Sequence, residues 1–296
     1  MLAPKFLLLL FTLFLGVVFA RDATGLSPYD KRDIQARQDP RTRRPDEPRQ
    51  QTPRPAVPLW VEHDTTLGGR IRPGNPRGAF YWSGTAHFNE TPTDIQLVAM
   101  ARDAHELMRW RWGQDNVVPK REPTVMSALC VGGDVFFASS VKGTVPAVYL
   151  DRSKETGWGE MQRNVPDEVF NALFDCFRDV SEHNGDEPNQ HKNGASCGEI
   201  MAAWTFFKFH EGRSLAGARA VAWKFSGGRG QVFPPCGGAK DGGDNVWGCD
   251  QFLRKLGITA VNPRGGLNGV AYDRPRVVGH MPVGGVFQER PLPNGV

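Results

Sequence analysis

Three cysteines and one glutamate form the most legible chemistry in this 296-residue chain. Ser196-Cys197-Gly198-Glu199 opens the apolar run Ile200-Met201-Ala202-Ala203-Trp204-Thr205-Phe206-Phe207, and downstream stand Pro234-Pro235-Cys236 and Gly248-Cys249-Asp250-Gln251. A catalytic zinc takes three protein ligands and keeps a fourth position open. Thiolates suit it, and the ion supplies a nucleophile from water near neutral pH. Proton transfers then need a carboxylate close to the ion. Glu199, two residues after Cys197 on the same helical turn, is placed for that work.

The same residues have structural uses. Ser196 with Glu199 three positions on reads as the capping box of a central helix, whose dipole favours a thiolate at Cys197 in the first turn. Cys236 and Cys249 can instead close the Gly-rich loop 237–248 as a disulfide, with Cys197 a small buried hydrophobe. Five cysteines are an odd count. Giving three to a metal leaves Cys130 and Cys176 as a disulfide pair. The alternative is two disulfides, one free thiol and no metal.

The order Cys197-Gly198-Glu199, a strand, Pro235-Cys236, and Cys249 opening a helix resembles the cytidine-deaminase-like superfamily of zinc-dependent base and nucleoside deaminases. The hairpin at Thr124–Val141 is similar to the first two strands of that fold. The resemblance spans Thr93 to Val261, with motifs at two places. It implies an α/β three-layer sandwich, a mixed central sheet with helices on both faces. It implies Cys197, Cys236 and Cys249 as zinc ligands and Glu199 as the catalytic proton shuttle. The substrate would be a nucleobase, a nucleoside or a single-stranded nucleic acid. Cysteine at the first ligand is similar to the secreted or toxin-like branches. One departure stands out: the family's two later cysteines lie a few residues apart, whereas Gly237–Gly248 separates them here. Closure entropy grows slowly with loop length, so a glycine-rich excursion can return. Near such a site, His191 can line the pocket mouth. Trp247 can stack on a base or pack in the core.

The positioning elements follow from periodicity. Helices are expected over Thr93–Trp112, Pro166–His183, the Cys197 run and Cys249–Leu256, the last ended by Gly257. Thr124–Val131 and Asp134–Val141 form a hairpin across Gly132-Gly133. Further strands are expected at Ala79–Trp82, Ala218–Phe225 and Ile258–Val261, with an edge strand near Arg276-Val277-Val278. That order suggests a sheet covered by helices on both faces.

Export is written at the N-terminus. Met1–Lys5 is basic, Phe6–Val18 is apolar, and Val18-Phe19-Ala20 ends in small residues, as in a signal peptide over residues 1–20. The apolar stretch is short for a membrane anchor, so a secreted, extracellular protein is expected. Residues 21–57 are polar and basic, read as a disordered linker or a pro-segment cut at Lys31-Arg32 or Arg43-Arg44. A single domain then runs over 58–296. Asn89-Glu90-Thr91 is a glycosylation sequon, with Pro92 placed to reduce its use. Composition is ordinary for a soluble protein, 40% hydrophobic and 23% charged, and the net charge of +4 permits an anionic substrate without requiring one. The rivals to an effector-like deaminase are a catalytically silent, disulfide-stabilised binding protein and a secreted nuclease, for which no pairing of histidine with carboxylate stands out.

Overall fold

The computed structural model describes residues 53–64, 67, 79–114, 122–142, 165–184, 191–226, 229–237, 247–261, 271–280 and 288–290. The expected signal peptide, the dibasic pairs and most of 21–57 lie outside the described residues. Among those described, no helix is long and apolar enough to cross a membrane.

Among the described residues nine strands form one sheet: β1 (Glu62–Asp64), β2 (Tyr81–His87), β3 (Val125–Val131), β4 (Asp134–Ser139), β5 (Arg219–Ser226), β6 (Arg229–Phe233), β7 (Thr259–Ala260), β8 (Val277–His280) and β9 (Gln288–Arg290). The order is β6-β5-β3-β4-β2-β8-β9, with β1 added to β2 and β7 to β5. Every pairing is antiparallel except β5 with β7, so this is a mixed α/β fold. Four helices among the described residues accompany the sheet: α1 (Asp94–Gln114), α2 (Asp167–Asn184), α3 (Gly198–Phe209) and α4 (Cys249–Lys255).

Local chemistry explains the main elements. Gly132, with φ of +61°, turns β3 into β4, and Val131 pairs with Asp134 across it. Thr93 caps α1. Its hydroxyl accepts from the Gln96 N–H at 3.3 Å, and the Gln96 side chain accepts from the Thr93 N–H at 2.9 Å. Side chains alternate across a strand, so β3 and β4 each feed two hydrophobic clusters. Ala128, Cys130 and Phe137 pack with Leu97, Val98, Ala101 and Met108 of α1. Leu129 and Phe136 pack instead with Leu173 of α2, Ile200 and Trp204 of α3, and Phe252 of α4.

Several expectations need correction. The strand near 276–278 is not an edge: β8 lies between β2 and β9. Strand β2 runs well past Trp82, and β1 was not expected at all. The β7 residues are exposed, and the buried flanks Ile258 and Val261 anchor them. Cys130 and Cys176 form no disulfide. Both are free, and they sit in different hydrophobic clusters. Burial pushes the Cys176 thiol up to about 12, so it stays protonated and behaves as an apolar side chain. Asn89 is exposed, as a sequon should be.

The cap of α3 is shifted by one residue from expectation. Cys197, in extended conformation (φ −79°, ψ 151°), is the N-cap, without a side-chain capping bond. Ser196 instead turns its hydroxyl toward the Gly194 carbonyl at 3.4 Å. Gly198 is why the helix start can sit so close to the sheet. A Cβ there would lie 2.6 Å from Ser127 Oγ and 2.9 Å from the Ala138 carbonyl oxygen.

Two stability outcomes follow. Gly198→Ala should cost about 1–3 kcal/mol through overpacking, whereas Gly113→Ala, where a Cβ meets nothing within 4 Å, should gain up to about 1 kcal/mol from helix propensity. Urea midpoints compare the two, and equal midpoints would contradict the close seating of α3. The second outcome concerns His105, buried on α1, whose pKa falls to about 4 through burial, with Arg109 adding to the effect and an interaction with the Thr124 backbone opposing it. Above pH 6.5 the ring is neutral in both folded and unfolded chains. Between pH 6.5 and 4 the unfolded chain takes up the proton first, so stability should fall by up to about 1.4 kcal/mol per pH unit. His105→Phe should flatten that part of the profile.

Candidate metal centre

The long loop does not keep its ends apart. Cys236 follows β6, Cys249 is the first residue of α4, and the two meet beside Cys197 at the start of α3. Cys197 Sγ lies 3.5 Å from Cys236 Sγ. His191, six residues before Cys197, brings its Nε2 to 3.8 Å from Cys249 Sγ. The four ligand atoms all lie within 4.8 Å of one another. A tetrahedral zinc with Zn–S near 2.3 Å has sulfur–sulfur edges of about 3.7 Å, so the cluster could hold such an ion with little rearrangement. His191, Cys236 and Cys249 are buried and Cys197 partly so. The cysteines are free thiols, so the Cys236–Cys249 disulfide alternative is not formed.

Backbone details hold the sulfurs in place. The Asp250 N–H donates to the Cys236 carbonyl at 3.0 Å. A Cβ on Gly248 would approach that same carbonyl oxygen to 2.4 Å, and Gly237 has φ of +94°. Glycines at the two ends of the loop therefore allow the ends to touch. Each sulfur also has one N–H aimed at it. Asn193 Nδ2 lies 3.4 Å from Cys197 Sγ, the Cys249 N–H donates to Cys236 Sγ at 3.4 Å, and His191 Nε2 faces Cys249 Sγ. On the far side of the His191 ring, Nδ1 accepts the Asn193 N–H at 3.1 Å. A neutral imidazole that accepts at Nδ1 carries its proton on Nε2.

The electrostatics describe a site short of positive charge. Sharing a proton with Cys236 raises the Cys197 thiol, and burial raises Cys249. Cys236, which receives hydrogen bonds from Cys197 and Cys249, is driven well below the usual thiol range. Thiolates this close together repel one another, and a bound cation would relieve that repulsion. Glu199 is buried beside them, and desolvation pushes its carboxyl up to about 7, opposed by its own backbone hydrogen bond and by interactions with Cys249 and Ser127.

Cys197, Glu199 and Cys236 all line one cleft of about 450 Å³, with Phe233 on its wall. His191 and Trp247 are not among the described lining residues. Both are buried, and the Trp247 ring stands edge-on to the His191 ring at 85° with centroids 5.0 Å apart. Sequence reasoning placed His191 at a pocket mouth and missed its place among the sulfurs. No spacing signal marked it, because its position depends on the turn at 191–195 rather than on helical periodicity. Trp223 is buried in the cluster that α1 shares with the sheet.

Metal analysis tests the site directly. The purified chain should carry one divalent ion, which Cys236→Ser and Cys249→Ser each remove. Chelation should lower the apparent melting temperature of the parent chain and leave that of either variant unchanged. An intact mass two hydrogens short of the fully reduced chain, with no ion bound, would show that the thiols pair with each other instead.

No protein-family model matches this chain, and no curated protein or solved structure matches it either. The described residues themselves establish a buried cluster of one histidine and three cysteines that could hold a metal ion, opening beside Glu199 onto a cleft.

Proposed function

We infer that this chain is a zinc-dependent deaminase acting on a nucleobase, a nucleoside or a single-stranded nucleic acid, exported from its cell as an effector or toxin. The observation that carries the reading is the convergence of Cys197, Cys236 and the Glu199 carboxyl on one cleft, with Cys249 completing the sulfur set. The resemblance of the Cys-x-Glu, Pro-Cys and Cys order to the cytidine-deaminase-like superfamily supports it. The separation of α1 from α2, α3 and α4 into different hydrophobic clusters supports the three-layer sandwich that goes with it.

The reaction replaces an exocyclic amine on a ring carbon with oxygen from water and releases ammonia. When bound, zinc supplies Lewis-acid activation of water near neutral pH. Cys197, Cys236 and Cys249 would hold the ion, and the N–H groups of Asn193, Cys249 and His191 fix the orientation of their sulfurs. Glu199 Oε takes one proton from the attacking water and passes it to the ring nitrogen, then takes the hydroxyl proton of the tetrahedral adduct and delivers it to the departing amine as the carbonyl forms. Its burial at the cleft floor keeps bulk water from competing for those protons.

A second reading comes from His191. Were its Nε2 a fourth ligand, the Cys3His set would be closed, as structural zinc sites are, and the protein would be a silent binding module. The Asn193 N–H on Nδ1 favours the open site, because it leaves the proton rather than the lone pair on Nε2.

Glu199→Gln should keep its zinc while ammonia release falls by about two to four orders of magnitude, the usual range for loss of a general acid–base group. Full activity in that variant would remove Glu199 from the mechanism. His191→Phe separates the two readings. Zinc is retained if the ion has three sulfur ligands and lost if the imidazole is the fourth. Zinc-loaded protein that releases no ammonia from any base, nucleoside or single strand would defeat the deaminase reading.

A further inference from the structure

The cleft has a charge pattern that neither the cysteines nor Glu199 explains. Lys142, Lys192 and Lys224 all line it, and the only described acid in its wall is Glu199, which is 6% exposed. Among the described residues, Lys142 and Lys224 have no acidic partner. Lys224 is placed with some care: its Nζ sits 4.2 Å from the centroid of the Phe233 ring, and Phe233 is itself a lining residue. A lysine held against an aromatic face is attracted by the ring quadrupole but keeps its full charge. Lys142 follows β4, Lys224 lies on β5, and Lys192 precedes α3, so three separate parts of the chain bring lysines to the lining of one opening.

Resting on the deaminase reading of the same cleft, we propose that its substrate is a phosphate-bearing nucleotide, and that Lys142, Lys192 and Lys224 bind the phosphate while the base reaches Glu199. A free base or nucleoside offers those lysines no anion. Cations that converge on a concave site concentrate an anionic ligand there. A volume of about 450 Å³ falls within the range of small-ligand pockets, roughly 300–1,000 Å³, so it has room for more than a base alone. The phosphate can belong to a mononucleotide or to a single strand that crosses the opening, and the two differ in salt response. Each lysine–phosphate contact on a single strand contributes a slope of about −0.7 in log K against log salt.

The test uses the zinc-loaded chain with four probes: cytidine and adenosine as free nucleosides, their 5′-monophosphates, and mixed-sequence single-stranded RNA and DNA oligonucleotides. Ammonia release gives kcat/KM, and polarisation of labelled oligonucleotides gives affinity against salt. The expected result is that kcat/KM for at least one phosphate-bearing probe exceeds that of its nucleoside by tenfold or more. Lys224→Gln should cut that advantage several-fold through KM, and Lys224→Arg should restore it. If the single strand is the ligand, Lys224→Gln should also reduce the salt slope by about 0.7, while a mononucleotide ligand shows the KM effect with no oligonucleotide binding. Equal kcat/KM for nucleosides and nucleotides, insensitive to all three lysine variants, would overturn the phosphate proposal and leave the deaminase reading intact. Lysine-dependent oligonucleotide binding with no ammonia released from any probe would do the reverse. Neither binding nor ammonia would end both.

Discussion

Three thiols whose sulfurs lie within 4.8 Å of one another, two of them buried and one partly so, are costly to ionise together. Removing a charge from water costs several kcal/mol even after relaxation, and like charges at such distances add to that. The thiols in this chain resolve the conflict by sharing protons. Hydrogen bonds from Cys197 and Cys249 lower the Cys236 thiol, while Cys197 and Cys249 are raised. A dication resolves it more completely. The geometry of the rest of the molecule makes sense as a way of keeping these sulfurs together despite that repulsion.

The protein does so with backbone rather than with side-chain bulk. Gly198 lets the start of α3 press against Ser127 and Ala138 on the hairpin, which sets the position of Cys197. Gly248 and Gly237 let the two ends of a loop meet, which brings Cys249 to Cys236. The α4 amide at Cys249 then donates to the Cys236 sulfur. A larger residue at Gly198 or Gly248 would move one sulfur away from the others, so these glycines serve the site even though they contribute no ligand atom.

Much of this was legible in the sequence because it rests on local chemistry. The hairpin at Gly132-Gly133 and helices α1 to α4 follow from periodicity and turn residues, whereas the grouping of the three cysteines was expected only from the family resemblance, against their wide spacing. Other features were not legible, for stated reasons. Ser196 and Cys197 are both acceptable at a helix start, and only the packing of Gly198 against the sheet decides between them. Cys130 and Cys176 could be paired by counting, but the alternation of β3 puts Cys130 in the cluster that α2 does not share. Strand β8 depends on pairing across 190 residues of chain, from His87 to Val277, and no local pattern encodes that. The lysines around the cleft come from three segments distant in sequence, so no run of charge announced them.

The donors around the cluster bear on the kind of metal centre it would form. Three thiolates and a dication leave one unit of negative charge in a buried place. Each sulfur has one N–H directed at it: Asn193 for Cys197, the Cys249 amide for Cys236, and His191 for Cys249. Donors of this kind spread thiolate charge and orient a sulfur ligand. A four-ligand Cys3His site would need the His191 lone pair to face the ion and its proton to sit on Nδ1. Nδ1 instead meets another donor, the Asn193 N–H at 3.1 Å, and two N–H groups facing each other repel. The turn that carries His191 and Asn193 therefore places Asn193 Nδ2 against the Cys197 sulfur and the His191 ring against the Cys249 sulfur.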